Sequence, residues 1–136
     1  MIALWEVSDP GNVGTLLRTA DAFGAGVSLS PKCADPTSPR ALRASAGAIF
    51  RVPLVDWADV PDRRVALVAH GGAPLADVDL SPPLTVLLGS EREGLPADLV
   101  ADRSKLTISL AGKAESLNVA AAGAVVLYEL TRRRGS

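Results

Sequence analysis

The sequence predicts an open, mostly parallel α/β sheet flanked by helices. Three observations carry that prediction. Residues 65–69 and 84–88 are short, uncharged and largely apolar runs bounded by turn residues, the pattern of strands covered on both faces. Between strand-like runs, apolar residues recur at helical spacing, and strands that alternate with helices fold into βαβ units with a parallel sheet. Finally, residues 119–128 form a helical stretch without one charge, which must be covered on every side.

The elements follow in order. Residues 1–7 read as a buried strand that Ser8-Asp9-Pro10-Gly11 ends in a turn. From Asn12, expected to cap the first helix, Val13, Leu16, Leu17, Ala20 and Phe23 repeat at helical spacing until Gly24 stops the run. Residues 27–30 form a second short strand and 31–39 a loop. Residues 40–46 form a short helix closed by Gly47. Residues 49–55 alternate weakly and suit an edge strand, because Pro53 cannot donate to a ladder. Residues 65–69, 84–88 and 106–110 supply three more strands. A closing helix over 116–133 has Ser116 as its natural N-cap.

In such a sheet, ligands bind beyond the carboxyl ends of the strands. Three loops rich in glycine and polar residues lie there, 9–14, 89–96 and 111–118. Ser116 and Asn118 sit two apart at the mouth of the closing helix. Capping alone would explain Ser116, but a second polar side chain in the same turn is not needed for the cap.

With 136 residues, 48% of them hydrophobic, the chain is one domain with a substantial core. A net charge of -1 gives no global attraction for nucleic acid, so any RNA binding needs a local patch. Arg18, Arg40, Arg43, Arg51 and the run Arg132-Arg133-Arg134 are the candidates. Cys33 is alone and fits a reducing cytoplasm. Residues 1–7 lack a basic n-region and a long apolar core, so neither a signal peptide nor a membrane segment is expected. One His and one Cys cannot make a metal site.

Three motifs carry the chemistry. The first is Asp9-Pro10-Gly11-Asn12-Val13-Gly14, followed by Arg18. The second is Leu87-Leu88-Gly89-Ser90-Glu91-Arg92-Glu93-Gly94-Leu95-Pro96. The third is Ile108-Ser109-Leu110-Ala111-Gly112, then Glu115-Ser116-Leu117-Asn118-Val119. In this order, and with Arg43-Ala44-Ser45-Ala46-Gly47-Ala48 between the first two, the chain resembles the SpoU/TrmH family of RNA ribose 2′-O-methyltransferases, of the SPOUT superfamily, over nearly its whole length.

That resemblance implies a C-terminal trefoil knot, an exception to the rule against threaded chains. It also implies S-adenosyl-L-methionine as cofactor, a homodimer, and an rRNA or tRNA substrate. Residues 1–136 would be the catalytic domain, either of a minimal member or of a protein with a further N-terminal RNA-binding domain. Ser109 departs from the family, which usually has proline there, and a looser strand end is expected.

Methyl transfer to a ribose hydroxyl is an in-line displacement, so the protein must hold two reactants and help remove a proton. By resemblance the catalytic candidates are Arg18, Asn12, Glu91, Ser116 and Asn118, and the cofactor candidates are Ala69, Gly89, Ile108 and Leu117. An arginine is a poor general base, because its pKa exceeds about 12. Arg18 is better read as a clamp on substrate phosphate and developing alkoxide, a neutral-arginine base being the minority reading and a surface pair with Asp21 or Glu91 the bland one. Asn12 caps its helix and orients Arg18 or the ribose, while Glu91 fixes Arg18 or the substrate-contacting loop. Two other classes compete. A nucleotide-binding dehydrogenase fails because Gly11-Asn12-Val13-Gly14 is not the required Gly-x-Gly-x-x-Gly. A non-catalytic RNA-binding or assembly module that keeps the fold is the alternative, against which the intact polar motif residues argue.

Overall fold

The computed structural model describes residues 1–101, 103–114 and 116–135. In chain order the elements are β1 (Ile2–Leu4), α1 (Pro10–Ala22), β2 (Val27–Leu29), α2 (Pro39–Ser45), β3 (Leu54–Val55), β4 (Arg64–Leu67), β5 (Ala73–Pro74), β6 (Thr85–Leu88), α3 (Ala97–Val100), β7 (Ser104–Thr107) and α4 (Val119–Arg134). The seven strands form one sheet in the order β3-β2-β1-β6-β4-β7-β5, and every ladder in it is parallel. The expected open parallel architecture is therefore observed.

Parallel neighbours need crossover connections, which put helices on the faces and bury the central strands. β1 and β6 sit side by side at the centre, and Ile2, Leu4, Val86 and Leu88 are buried there. α1 turns Val13, Leu16, Leu17 and Ala20 onto this core, and α4 adds Val126, Leu127 and Leu130. Each of these larger side chains contributes about 1.5–3 kcal/mol by leaving water. α1 lies against both α2 and α4. Its contact with α2 depends on Gly14, where an added Cβ would fall 2.4 Å from the Ala41 carbonyl oxygen and 2.6 Å from the Ala44 methyl.

Several local expectations shift. α1 starts at Pro10, and Asp9, not Asn12, caps it: the Asp9 carboxylate accepts from the Asn12 amide at 2.9 Å. Proline at the first helical position fixes φ without wasting a donor, so the cap falls one residue before it. The second cap also moves, from Ser116 to Asn118, and the closing helix spans Val119–Arg134 instead of 116–133. In the stretch expected as an edge strand over 49–55, the Arg51 and Val52 amides turn back to the Ala48 carbonyl at 2.9 Å. Only Leu54 and Val55 then pair, on the outermost strand. β7 spans Ser104–Thr107 where 106–110 was expected, its first half, Ser104 and Lys105, being polar and exposed and so without an apolar signal. The two-residue β5 and the one-turn α3 carried no strand or helix pattern. Glu115 of the third motif lies outside the described residues.

The far end of α4 is tied down. Arg132 and Arg133 both bond Glu129, and Arg133 also donates to the Leu75 and Val78 carbonyls just after β5. These contacts hold the Glu129 carboxyl well below the usual range, at about 2. None of the helices among the described residues is long and apolar enough to cross a membrane.

Candidate active site

The carboxyl ends of β4, β6 and β7 open into a cavity of about 420 Å³. Its walls are apolar, from Leu67, Leu88, Leu95, Ile108, Leu110 and Val119, and its rim is polar, from Ser90, Glu91, Arg92, Glu93 and Ser116. The expected cofactor residues Ala69, Gly89, Ile108 and Leu117 all line it. They come from three different strand ends and from the approach to α4. Gly89 is obligatory for the loop: a Cβ there would lie 2.4 Å from the Gly94 carbonyl carbon and 2.5 Å from the Leu95 amide nitrogen. Gly94 itself adopts φ +65°, and its amide bonds the Ser90 carbonyl at 3.0 Å, folding the second motif back over the strand end.

A second groove, of about 500 Å³, adjoins the first along residues 90–93 and is walled by Glu6, Ser8, Asp9, Asn12 and Lys32. Glu6 and Lys32 had no signal in the sequence. Both have left-handed backbones, φ 49° and 72°, and their side chains pair at 3.9 Å. Such strain in non-glycine residues concentrates at functional sites.

Between the two depressions, all three motifs meet. Asn118 Oδ1 accepts from the Ala120 and Ala121 amides at 2.8 and 3.2 Å, which turns its Nδ2 outward to donate to Asn12 Oδ1 at 3.3 Å. The Asn12 Nδ2 in turn donates to Glu91 at 2.7 Å. The α4 cap thus sets the sense of the relay, which must end on an acceptor, and an ionised carboxylate offers only acceptors.

Arg18 is not part of this relay. It is exposed on α1 and borders neither depression. Among the described residues its side chain makes no hydrogen bond or ion pair. Neither expected surface pair forms, since Asp21 is taken by Arg51 at 2.8 Å and Glu91 by Asn12. Ser116 is at the cavity rim although it caps nothing. Among the described residues no group of His, Cys, Asp and Glu could hold a metal.

The profile of the SpoU rRNA Methylase family matches residues 1–128. The chain belongs to this family. The SpoU-family chain is 37% identical over 145 residues to an uncharacterized tRNA/rRNA methyltransferase of Synechocystis sp., covering 98% of itself and 53% of that relative. It spans about half the length of the curated relatives it matches. Among solved structures, the AdoMet-bound rRNA methyltransferase from Sinorhizobium meliloti superposes with a TM-score of 0.89 at 35% identity, over 97% of this chain and 55% of that one. A chain from a structural study of 2-OH methylation of C/U34 on tRNA gives 0.91 at 30% identity, over 98% and 95%.

Proposed function

We propose that this chain is the catalytic domain of an RNA methyltransferase that transfers a methyl group from S-adenosyl-L-methionine to a ribose 2′-hydroxyl of rRNA or tRNA. The observation that carries the reading is the meeting of two depressions at the Asn118–Asn12–Glu91 relay, an apolar-walled cavity of a cofactor's size and an adjoining polar groove that Asn12 and Glu91 line.

The residues fit the cofactor. A cavity of about 420 Å³ is of the size that holds a small-molecule ligand, for which about 300–1,000 Å³ is usual. Its aliphatic walls suit a purine, its loop backbone supplies donors and acceptors, and its rim, with Glu91 and Glu93 against Arg92, carries a net negative charge that favours a cationic centre. When bound, S-adenosyl-L-methionine supplies an electrophilic methyl on a sulfonium.

The remaining work belongs to the protein. Ala69, Gly89, Ile108 and Leu117 hold the adenosine end, and Ser116, on the rim of the same cavity, lies toward the methionine moiety and the acceptor hydroxyl. Asn12, fixed between Asn118 and Glu91, orients the ribose. Holding reactants in line supplies up to ~7–11 kcal/mol of such a barrier. Arg18, exposed on α1 outside both depressions, clamps a substrate phosphate and so positions the developing oxyanion.

The reading includes a homodimer and a trefoil knot that threads the C-terminal segment. Supporting the dimer, α4 is apolar on its outer side too: Val125 is 38% and Tyr128 58% exposed, with Tyr128 edge-on to Phe23 of α1 at 6.4 Å. Such a patch marks an interaction surface, and Val125→Glu is expected to yield monomers in sedimentation. The lone Cys33 suits a reducing, cytoplasmic setting. Calorimetry with S-adenosyl-L-methionine tests the core of the proposal. Heat of binding at micromolar cofactor supports it, and no heat or thermal shift at saturation refutes it.

A further inference from the structure

Four of the arginines that could make a local basic patch converge on one ridge. Positions 11, 14, 18 and 21 of α1 lie along a single stripe, because residues three and four apart share a helix face. α2 rides on that stripe at Gly14. At its amino end the Arg40 guanidinium reaches over Gly11 and pairs with Asp9 at 3.4 Å. At its carboxyl end Arg51 places both Nε and Nη2 on Asp21, at 3.0 and 2.8 Å. Arg18 lies between them, and Arg43 is one turn beyond Arg40 on α2. The stripe from Gly11 to Asp21 is about 15 Å long at 1.5 Å per residue.

Two carboxylates hold two of these guanidinium groups in place and leave part of each donor set free. Arg51 keeps both Nη1 protons free and is 59% exposed, and Arg40 is 65% exposed. Arg18 and Arg43 bring exposed, unpaired charge among the described residues. The ridge is therefore net positive on a chain whose overall charge is -1. Next to Arg51, the Phe50 ring is 84% exposed, the most exposed large apolar side chain described. An exposed phenyl ring one residue from a fixed guanidinium supplies the two groups that bind single-stranded nucleic acid, a ring for a base to stack on and a cation for phosphate. Arg132 and Arg133 lie apart from this ridge, on the last turn of α4, where both share Glu129 and Arg133 also bonds the Leu75 and Val78 carbonyls.

We infer that the α1–α2 ridge, with Arg40, Arg43, Arg18 and Arg51 ending at Phe50, is a track for a single strand of RNA that runs from the Asn12–Glu91 site. Charge complementarity selects RNA over a protein partner, and the track starts at Asp9, where the acceptor groove begins. This inference rests on the RNA-methyltransferase reading and adds where the strand flanking the acceptor lies.

The test is fluorescence anisotropy with a short, mixed-sequence, labelled oligoribonucleotide across a salt series, alongside cofactor calorimetry on the same samples. Phe50→Ser is expected to weaken RNA binding by roughly five- to 150-fold, the equivalent of ~1–3 kcal/mol. Arg43→Ala is expected to flatten the salt slope by about 0.7. Lys105→Ala, an equal loss of charge on exposed β7, is expected to leave both nearly unchanged. If Phe50→Ser and Arg43→Ala bind RNA like the parent while all bind cofactor, the track is wrong and the methyltransferase reading stands. A parent that binds no cofactor removes that reading instead. Loss of self-association in Phe50→Ser with RNA affinity intact would give the face to a second copy and overturn the track.

Discussion

Asn12 and Glu91, 79 residues apart in sequence, are joined by a 2.7 Å hydrogen bond that ties the amino end of α1 to the loop after the central strand β6. Asn118 completes the relay from the other side, and its two roles are separable. Asn118→Ala removes the cap and is expected to cost about 0.5–2 kcal/mol of stability. Asn118→Asp keeps an acceptor for the Ala120 and Ala121 amides but cannot donate to Asn12. It is expected to melt near the parent temperature while single-turnover methylation falls at least tenfold. Equal activity of Asn118→Asp and parent would show that the relay does not matter to the reaction.

Arg18→Lys keeps the charge and loses the planar fork. If Arg18 clamps phosphate and so positions the oxyanion, single-turnover methylation falls by orders of magnitude while cofactor affinity stays within a fewfold, because the side chain borders neither depression. Near-equal rates would remove Arg18 from the reaction.

Gly14→Ala sets two effects of opposite sign against each other. Helix propensity favours alanine by about 1 kcal/mol, whereas overpacking costs about 1–3 kcal/mol. The clash should win, since the 2.4 Å neighbour is the Ala41 backbone carbonyl and cannot rotate away. Denaturant unfolding should show a destabilised variant, and a stabilised one would mean that α2 moves aside freely.

Glu129 gives a pH signature. Its folded pKa of about 2 lies below the ordinary 4.5, so its contribution is complete above pH 4.5 and is lost as pH falls toward 2. Glu129→Gln should melt below the parent at pH 7, converge with it through that window, and coincide with it below pH 2. A constant gap across the range would assign the loss to packing.

How far the sequence was legible depends on what each signal averages over. The run 84–88 located β6 because a strand covered on both faces needs an unbroken apolar stretch, and the helical spacing from Val13 to Phe23 located α1. β5 consists of an alanine and a proline and offered no period at all. The caps were misplaced by two or three residues for different reasons. Pro10 was a readable marker of the first helical position, whereas Ser116 and Asn118 are both good caps, and only packing at Val119 and Ala120 chooses between them. The cofactor candidates converged on the cavity because strand ends converge there. The salt bridge of Glu6 with Lys32 escaped because it depends on two left-handed backbones that no composition announces.

The place of β1 also bears on synthesis. Its residues pair with β2 on one side, 25 positions away, and with β6 on the other, 84 positions away, as in the registers Ile2↔Val27 and Ile2↔Val86. On a ribosome adding about 5–20 residues per second, the 56 positions from Leu29 to Thr85 leave one side of β1 unpaired for roughly 3–11 s. An apolar strand that will become the centre of the sheet thus spends its first seconds as an open edge. The nascent chain is therefore most exposed to chaperones and to misassembly at the strand that is most protected once folding is complete.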